Sequence, residues 1–167
     1  MLRLTAAVLL TIAGTLWGWS RAAGLDRRLV ICREAEMLLQ SCDYLIRSRA
    51  DDVYAICREL KRGSGFGSLS FISQLPDAFI PGHAFSDDWR NAVSGQDDMP
   101  PELSGLLIRF GSALGTSDIT GQLSAIAVFS EELSHMTAGS EEDRRRLGRL
   151  YRTVGILTGM MAGIIVI

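Results

Sequence analysis

The chain has 167 residues, 47% of them hydrophobic and 22% charged, with a formal net charge of −2. That length is ordinary for one domain. The slightly acidic balance and an aromatic content of 7% argue against a nucleic-acid binder, which needs a basic face and stacking platforms.

Residues 4–20, LTAAVLLTIAGTLWGWS, carry no charge and lie between Arg3 and Arg21. The run is nearly long enough to span a bilayer as a helix, and Trp17 and Trp19 stand at one end, where an interfacial aromatic belt would place them. A transmembrane helix over residues 1–21 is expected. A cleaved signal peptide ending near Ser20 and Ala22 is the rival reading. Gly14 and Gly18 are spaced to fall on one helix face, where small residues let another backbone approach.

Residues 25–47 show helical spacing of Leu25, Leu29, Cys32, Leu39, Cys42 and Ile46. With no proline before them, one long helix is expected to continue out of the apolar segment. Residues 51–60 predict a second helix with Asp51 and Asp52 at its favourable end. RGSGFGS, residues 62–68, is a turn. LSFISQL, residues 69–75, fits a short helix or a strand and ends at Pro76. Residues 80–83 turn again, and residues 85–94 predict a helix capped by Ser86, with Asp87 and Asp88 in its first turn. Residues 95–102 form a loop, within an acidic stretch from Asp77 to Glu102 read as a solvated face. Cys32, Cys42 and Cys57 include no CxxC pair and give no disulfide framework, so they read as core residues. His83 and His135 are isolated, and no metal or cofactor is expected.

From Pro101 the pattern is strongly helical, interrupted by RFGSALGTSDITGQ at residues 109–122. A phosphate loop would need GxxxxGK[ST] after a strand, and a nucleophile elbow would need GxSxG. Neither frame is present. The run reads as a corner between helices. Leu106, Leu107, Phe110 and Leu114 form an apolar face, and Gly115 takes the left-handed conformation that closes the first helix. Thr116, Ser117 or Asp118 caps the next, and loss of the Asp118 cap would cost about 1 kcal/mol. Gly111 is not needed for the corner, and close approach of a neighbouring helix is its expected benefit.

The last helix is expected from about residue 141, with Ala138-Gly139-Ser140 either a break or an absorbed weak point. It feeds a charge-free tail, residues 153–167, TVGILTGMMAGIIVI. Gly155, Gly159 and Gly163 share one face there, and packing of the two apolar segments on each other or on partner subunits is expected. Arg21, Arg27 and Arg28 on one side and Arg144, Arg145, Arg146, Arg149 and Arg152 on the other flank the middle of the chain. The positive-inside rule puts that middle in the cytoplasm. The expected organisation is a transmembrane helix over 1–21, an all-α antiparallel bundle over 22–152, and a second transmembrane helix over 153–167.

FGSALGTSDITGQ, with Phe110, Gly111, Leu114, Gly115, Ser117, Asp118 and Gln122, resembles the FGxxLGxxDxxxQ signature of the stage III sporulation protein AB family. AGTLWG at residues 13–18 is similar to that family's first membrane segment, and GRLYRTVGILTGMMAGIIVI at residues 148–167 to its ending. Leu45-Ile46-Arg47-Ser48 departs from the acidic-isoleucine-x-tyrosine run usual in the family. The resemblance implies a platform similar to the inner-membrane protein of type II secretion and type IV pilus systems. It implies residence in the mother-cell membrane of an endospore former, in an assembly linking mother cell and forespore. The implied partners are the secretion-type ATPase, stage III sporulation protein AA, and other membrane subunits, with a homo-oligomer also open. It implies no catalytic residues. Two other functions compete with this one: an exported helical binding protein held by its tail after signal cleavage, and a small membrane enzyme using Asp118 with His135.

Overall fold

The computed structural model describes residues 2–49, 52–115 and 119–166, the side chains of 2–7, 10, 49, 163, 165 and 166 excepted. The described residues form helices and no strand. These are α1 (Leu2–Arg49), α2 (Val53–Arg62), a 3-10 turn (Ser70–Gln74), α3 (Phe85–Ser94), α4 (Pro101–Ala113) and α5 (Ile119–Val166). The chain divides into two compact units, one made of residues 30–137 and the other of residues 1–29 with 138–167.

The unit of residues 30–137 is a helical bundle around one core. Within it, α1 buries Ile31, Cys32, Ala35, Leu38, Leu39, Cys42, Leu45 and Ile46, a stripe at helical spacing. Asp52 opens α2, its carboxylate accepting the Tyr54 N–H at 3.3 Å, and Lys61 and Arg62 occupy the last turn where the helix dipole favours cations. Helix α2 turns Ile56, Cys57 and Leu60 inward. Residues 69–75, ambiguous by pattern, form the 3-10 turn, which buries Phe71 and Ile72 and stops before Pro76. Its surroundings are fixed by a buried amide: Gln96 Oε1 accepts the Phe71 N–H at 3.3 Å and Gln96 Nε2 donates to the Ser68 carbonyl at 2.7 Å. Glu34 of α1 accepts from both the Ser68 N–H and its hydroxyl.

The cap expected at Ser86 is not formed. Helix α3 spans Phe85–Ser94, and its N-cap residue is Ala84, two positions before Ser86, with no side-chain cap bond. The Ala84 carbonyl accepts from the Asp87 and Asp88 N–H groups. Phe85 is drawn into the first turn by ring contacts with Tyr54 and Trp89, both at 5.8 Å. Asp87 and Asp88 do occupy the first turn. Helix α4 opens on Pro101, whose missing N–H costs nothing at a helix start. Helix α5 absorbs Ala138-Gly139-Ser140 without a break.

The unit of residues 1–29 and 138–167 is an antiparallel pair of helical arms. Thr11 meets Gly159, Gly14 meets Gly159 and Gly155, and Gly18 meets Gly155 and Tyr151, so one arm rises as the other descends. Further along the pair, Asp26 forms an ion pair with Arg144. Among the described residues no helix is long and apolar enough to cross a membrane. The described residues of the spans expected over 1–21 and 153–167 form paired helical arms, and they do not by themselves show a crossing.

Candidate assembly sites

The arms touch backbone to backbone. A Cβ added at Gly14 would lie 2.8 Å from the Gly159 Cα and 2.9 Å from the Gly155 carbonyl oxygen. At Gly18 it would meet the Tyr151 carbonyl oxygen at 2.6 Å, and at Gly159 the Thr11 carbonyl oxygen at 2.9 Å. None of these neighbours is a side chain that could swing away, so no other residue fits this geometry. Thr11 Oγ1 donates to the Gly159 carbonyl at 3.3 Å, a polar link across the crossing. Four of the five glycines expected to share this surface therefore do so, and they pair the two arms with each other. The surroundings of Gly163 lie outside the described residues. Sequence reasoning missed Thr11, although Thr11, Gly14 and Gly18 form a run of small residues at i, i+3 and i+7.

The large apolar side chains of the arms face outward. Leu9 is 66% exposed, Met161 64% and Ile164 72%, and Leu16, Trp17, Trp19, Leu157 and Met160 are exposed as well. A water-soluble helix pair buries its large residues and leaves small ones outside. Here the order is reversed, which is the arrangement that van der Waals packing between helices in lipid favours. The arginines cluster at one end of the pair, where Arg144, Arg145, Arg149 and Arg152 line a cavity with Ala22, Asp26 and Gly148.

The corner at residues 110–115 is built as expected on its described side. Helix α4 ends at Ala113, the Leu114 N–H donates to the Phe110 carbonyl at 3.1 Å, and Gly115 has φ +74°. Phe110 and Leu114 are buried, and Gln122 is half-buried in the first turn of α5. Thr116, Ser117 and Asp118, the expected caps, lie outside the described residues. His135 is exposed on α5, and the His83 Nδ1 lies 3.4 Å from Asp88.

Gly111 is explained by a side chain that sequence reasoning did not connect to it. The Trp89 indole lies flat against it, and a Cβ at position 111 would sit 2.0 Å from Trp89 Cδ1. The ring is fully buried, and its Nε1–H donates to the Leu107 carbonyl at 2.7 Å. Phe71, Phe85 and Phe110 surround it with ring centroids 5.5 to 5.8 Å away, and Phe110 passes the contact on to Phe129 at 5.9 Å. The close approach expected at Gly111 is real, and an aromatic side chain of α3 makes it. A glycine on an otherwise apolar helix face, in a chain with a tryptophan on the preceding helix, is the signal that could have found it.

The three cysteines are free and buried. Burial, helped by Cys57 and Asp43, raises the Cys42 thiol far above the usual range. Burial also pushes Cys57 up to about 12, against a smaller lowering by Lys61. Neither is a nucleophile at neutral pH.

A family model described as stage III sporulation protein AB matches residues 3–167. The chain belongs to the stage III sporulation protein AB family. Its role is therefore in sporulation, and the family is not a known enzyme family. No curated protein and no solved structure matches the chain.

Proposed function

We propose that this family member is a non-enzymatic membrane platform of the sporulation complex between mother cell and forespore. Its paired terminal arms lodge in the mother-cell membrane as transmembrane helices. Its bundle faces the cytoplasm and engages the secretion-type ATPase, stage III sporulation protein AA, and other membrane subunits. The observation that carries this reading is the reversed packing of the arms, glycine inside and large apolar residues outside. In water such a surface would be an aggregation hazard, since contiguous apolar patches beyond a few hundred Å² mark interaction surfaces. In lipid it is the ordinary outer face of a helix pair. The arginines at one end of the arms add the charge bias expected of a cytoplasmic flank.

The test is fractionation and topology in cells. The protein should stay with membranes through alkaline extraction. The native cysteines are buried, so labelling needs an introduced one, and Ser64→Cys places it on an exposed loop of the bundle. An impermeant maleimide should reach it only after the cells are opened. Labelling of intact cells would overturn the cytoplasmic placement. Failure of the ATPase to co-purify with the membrane-extracted protein would overturn the platform role.

A further inference from the structure

We propose that the arginine cavity of the helical arms binds the phosphodiester headgroup of an anionic phospholipid. The inference rests on the membrane reading above and gives that surface a specific ligand. The cavity has a volume of about 250 Å³ and is lined by Ala22 and Asp26 of α1 and by Arg144, Arg145, Gly148, Arg149 and Arg152 of α5. Positions 145, 149 and 152, like 144 and 148, recur at helical spacing, so one face of α5 presents all five residues.

The cavity carries positive charge that its own carboxylate does not balance. Asp26 is committed to Arg144 in an ion pair. Arg145, Arg149 and Arg152 are exposed and make no ion pair or hydrogen bond among the described residues. Three guanidiniums thus converge on one cavity with no carboxylate to answer them. Guanidinium forks match phosphate oxygens bidentately and bind them better than an ammonium would. Asp26 orients one fork and leaves the other three to the ligand.

The floor of the cavity is open. Gly148 is buried, yet a Cβ built on it would meet nothing within 4 Å. Its missing side chain is therefore space in the cavity and not packing against the other arm. This separates it from Gly14, Gly18, Gly155 and Gly159, whose Cβ positions are blocked by backbone. Ala22 is the other small residue of the lining.

The position of the cavity along the arms favours a lipid over a free anion. The cavity ends where charge ends: every residue after Arg152 is uncharged, as is every residue from 4 to 20 before Arg21. Exposed Trp17 and Trp19 stand at the same end of the apolar run, with the Arg21 guanidinium 5.7 Å from the Trp17 ring centre. A headgroup in this cavity has its acyl chains beside the outward-facing apolar side chains. Basic pockets between helices at the cytoplasmic boundary are suited to anionic headgroups.

The test uses the full chain purified in a neutral detergent. It is presented to vesicles of phosphatidylcholine alone and of phosphatidylcholine mixed with phosphatidylglycerol. The wild type should insert into both, and lipid retained on re-extraction should be enriched in phosphatidylglycerol, as read by native mass spectrometry. The triple variant Arg145→Gln, Arg149→Gln, Arg152→Gln should still insert but lose phosphatidylglycerol affinity by a factor on the order of a hundred. Gly148→Leu keeps every charge and fills the cavity without a backbone clash. It should lose the enrichment too, whereas Arg146→Gln, outside the cavity lining, should keep it. Equal retention in the triple variant, or unchanged retention in Gly148→Leu, would overturn the site. Displacement of the lipid by millimolar inorganic phosphate would overturn the lipid assignment in favour of a free anion. Absence of insertion into either vesicle would instead overturn the membrane reading, so the two failures are distinct.

Discussion

The bundle and the arms solve the packing problem in opposite ways. In the bundle the largest side chains are the most buried: Trp89, Phe71 and Phe110 are essentially inaccessible. In the arms the smallest residues are inside and the largest are outside. Glycine serves both solutions, at a cost in a helix of about 1 kcal/mol relative to alanine. In the bundle, Gly111 is offset by an indole that gains burial and a hydrogen bond. In the arms, Gly14, Gly18, Gly155 and Gly159 are offset by backbone contact along the crossing. The first gain is strongest where water is the competitor, since it removes apolar area from water. The second needs no hydrophobic driving force and so suits a solvent as apolar as the protein.

The sharpest way to break this contrast is at the indole. Trp89→Ala removes a fully buried ring and should cost about 3–5 kcal/mol in a denaturant titration. Gly111→Ala adds one methyl group at a point 2.0 Å from the same ring. The ring is held by its bond to Leu107 and by three phenyl neighbours, so the substitution should cost about 3 kcal/mol. The double variant should be far less destabilised than the sum, because one change removes what the other collides with. Additivity would mean that Gly111 is there for some other reason.

The arms should respond differently. Gly159→Leu places a side chain against the Thr11 backbone, which cannot rotate away, and should weaken the pairing by up to about 3 kcal/mol. Spin labels at the exposed positions Leu9 and Met161 should report a longer, broader distance distribution. Denaturation of the bundle should change by no more than about 0.5 kcal/mol. A bundle that melts with the arms would show that the two packing schemes are not independent.

The next effect in size belongs to the bundle's thiols. Unfolded cysteines ionise near pH 8.5, whereas Cys57 is pushed up to about 12 and Cys42 is raised further in the folded chain. A raised thiol pKa favours the neutral form, so its stabilising contribution is complete below the unfolded value and is lost as pH rises. Above about pH 8.5 the unfolded chain holds fewer protons than the folded one, and stability should fall by about 1.4 kcal/mol per thiol for each pH unit. Cys57→Ala should reduce that slope. An unchanged slope would mean that Cys57 is already ionised or accessible in the native bundle.

How much of this was legible in the sequence depends on whether the partner of each residue is local. The helix over residues 25–47, the turn at 62–68, the Gly115 corner and the buried cysteines follow from periodicity and turn chemistry. The face shared by Gly14, Gly18, Gly155 and Gly159 was legible as spacing. That they pair with each other was one of two open outcomes, because spacing does not name a partner. Gly111 was legible only as an anomaly, since its explanation lies on another helix, at Trp89. The arginine cavity was read as a flank of charge. Its shape depends on Gly148 being open, which no spacing reveals.

Helix caps show the same divide at the smallest scale. Asp52 and Ser86 both had the residue type and position of an N-cap. Asp52 is one, accepting the Tyr54 N–H. Ser86 is not, because Phe85 gains more from its rings than an N-cap bond would supply, and the helix begins before the serine can serve. Asp52→Ala should therefore cost about 1 kcal/mol, while Ser86→Ala should stay within about 0.5 kcal/mol. If the two costs were equal, or reversed, tertiary packing would not have displaced the local signal at α3. Phe85→Ala should then separate the causes. With the ring contacts gone, the N-cap can shift by two residues from Ala84 to Ser86, and a second substitution at Ser86 should acquire the cost it lacks in the wild type.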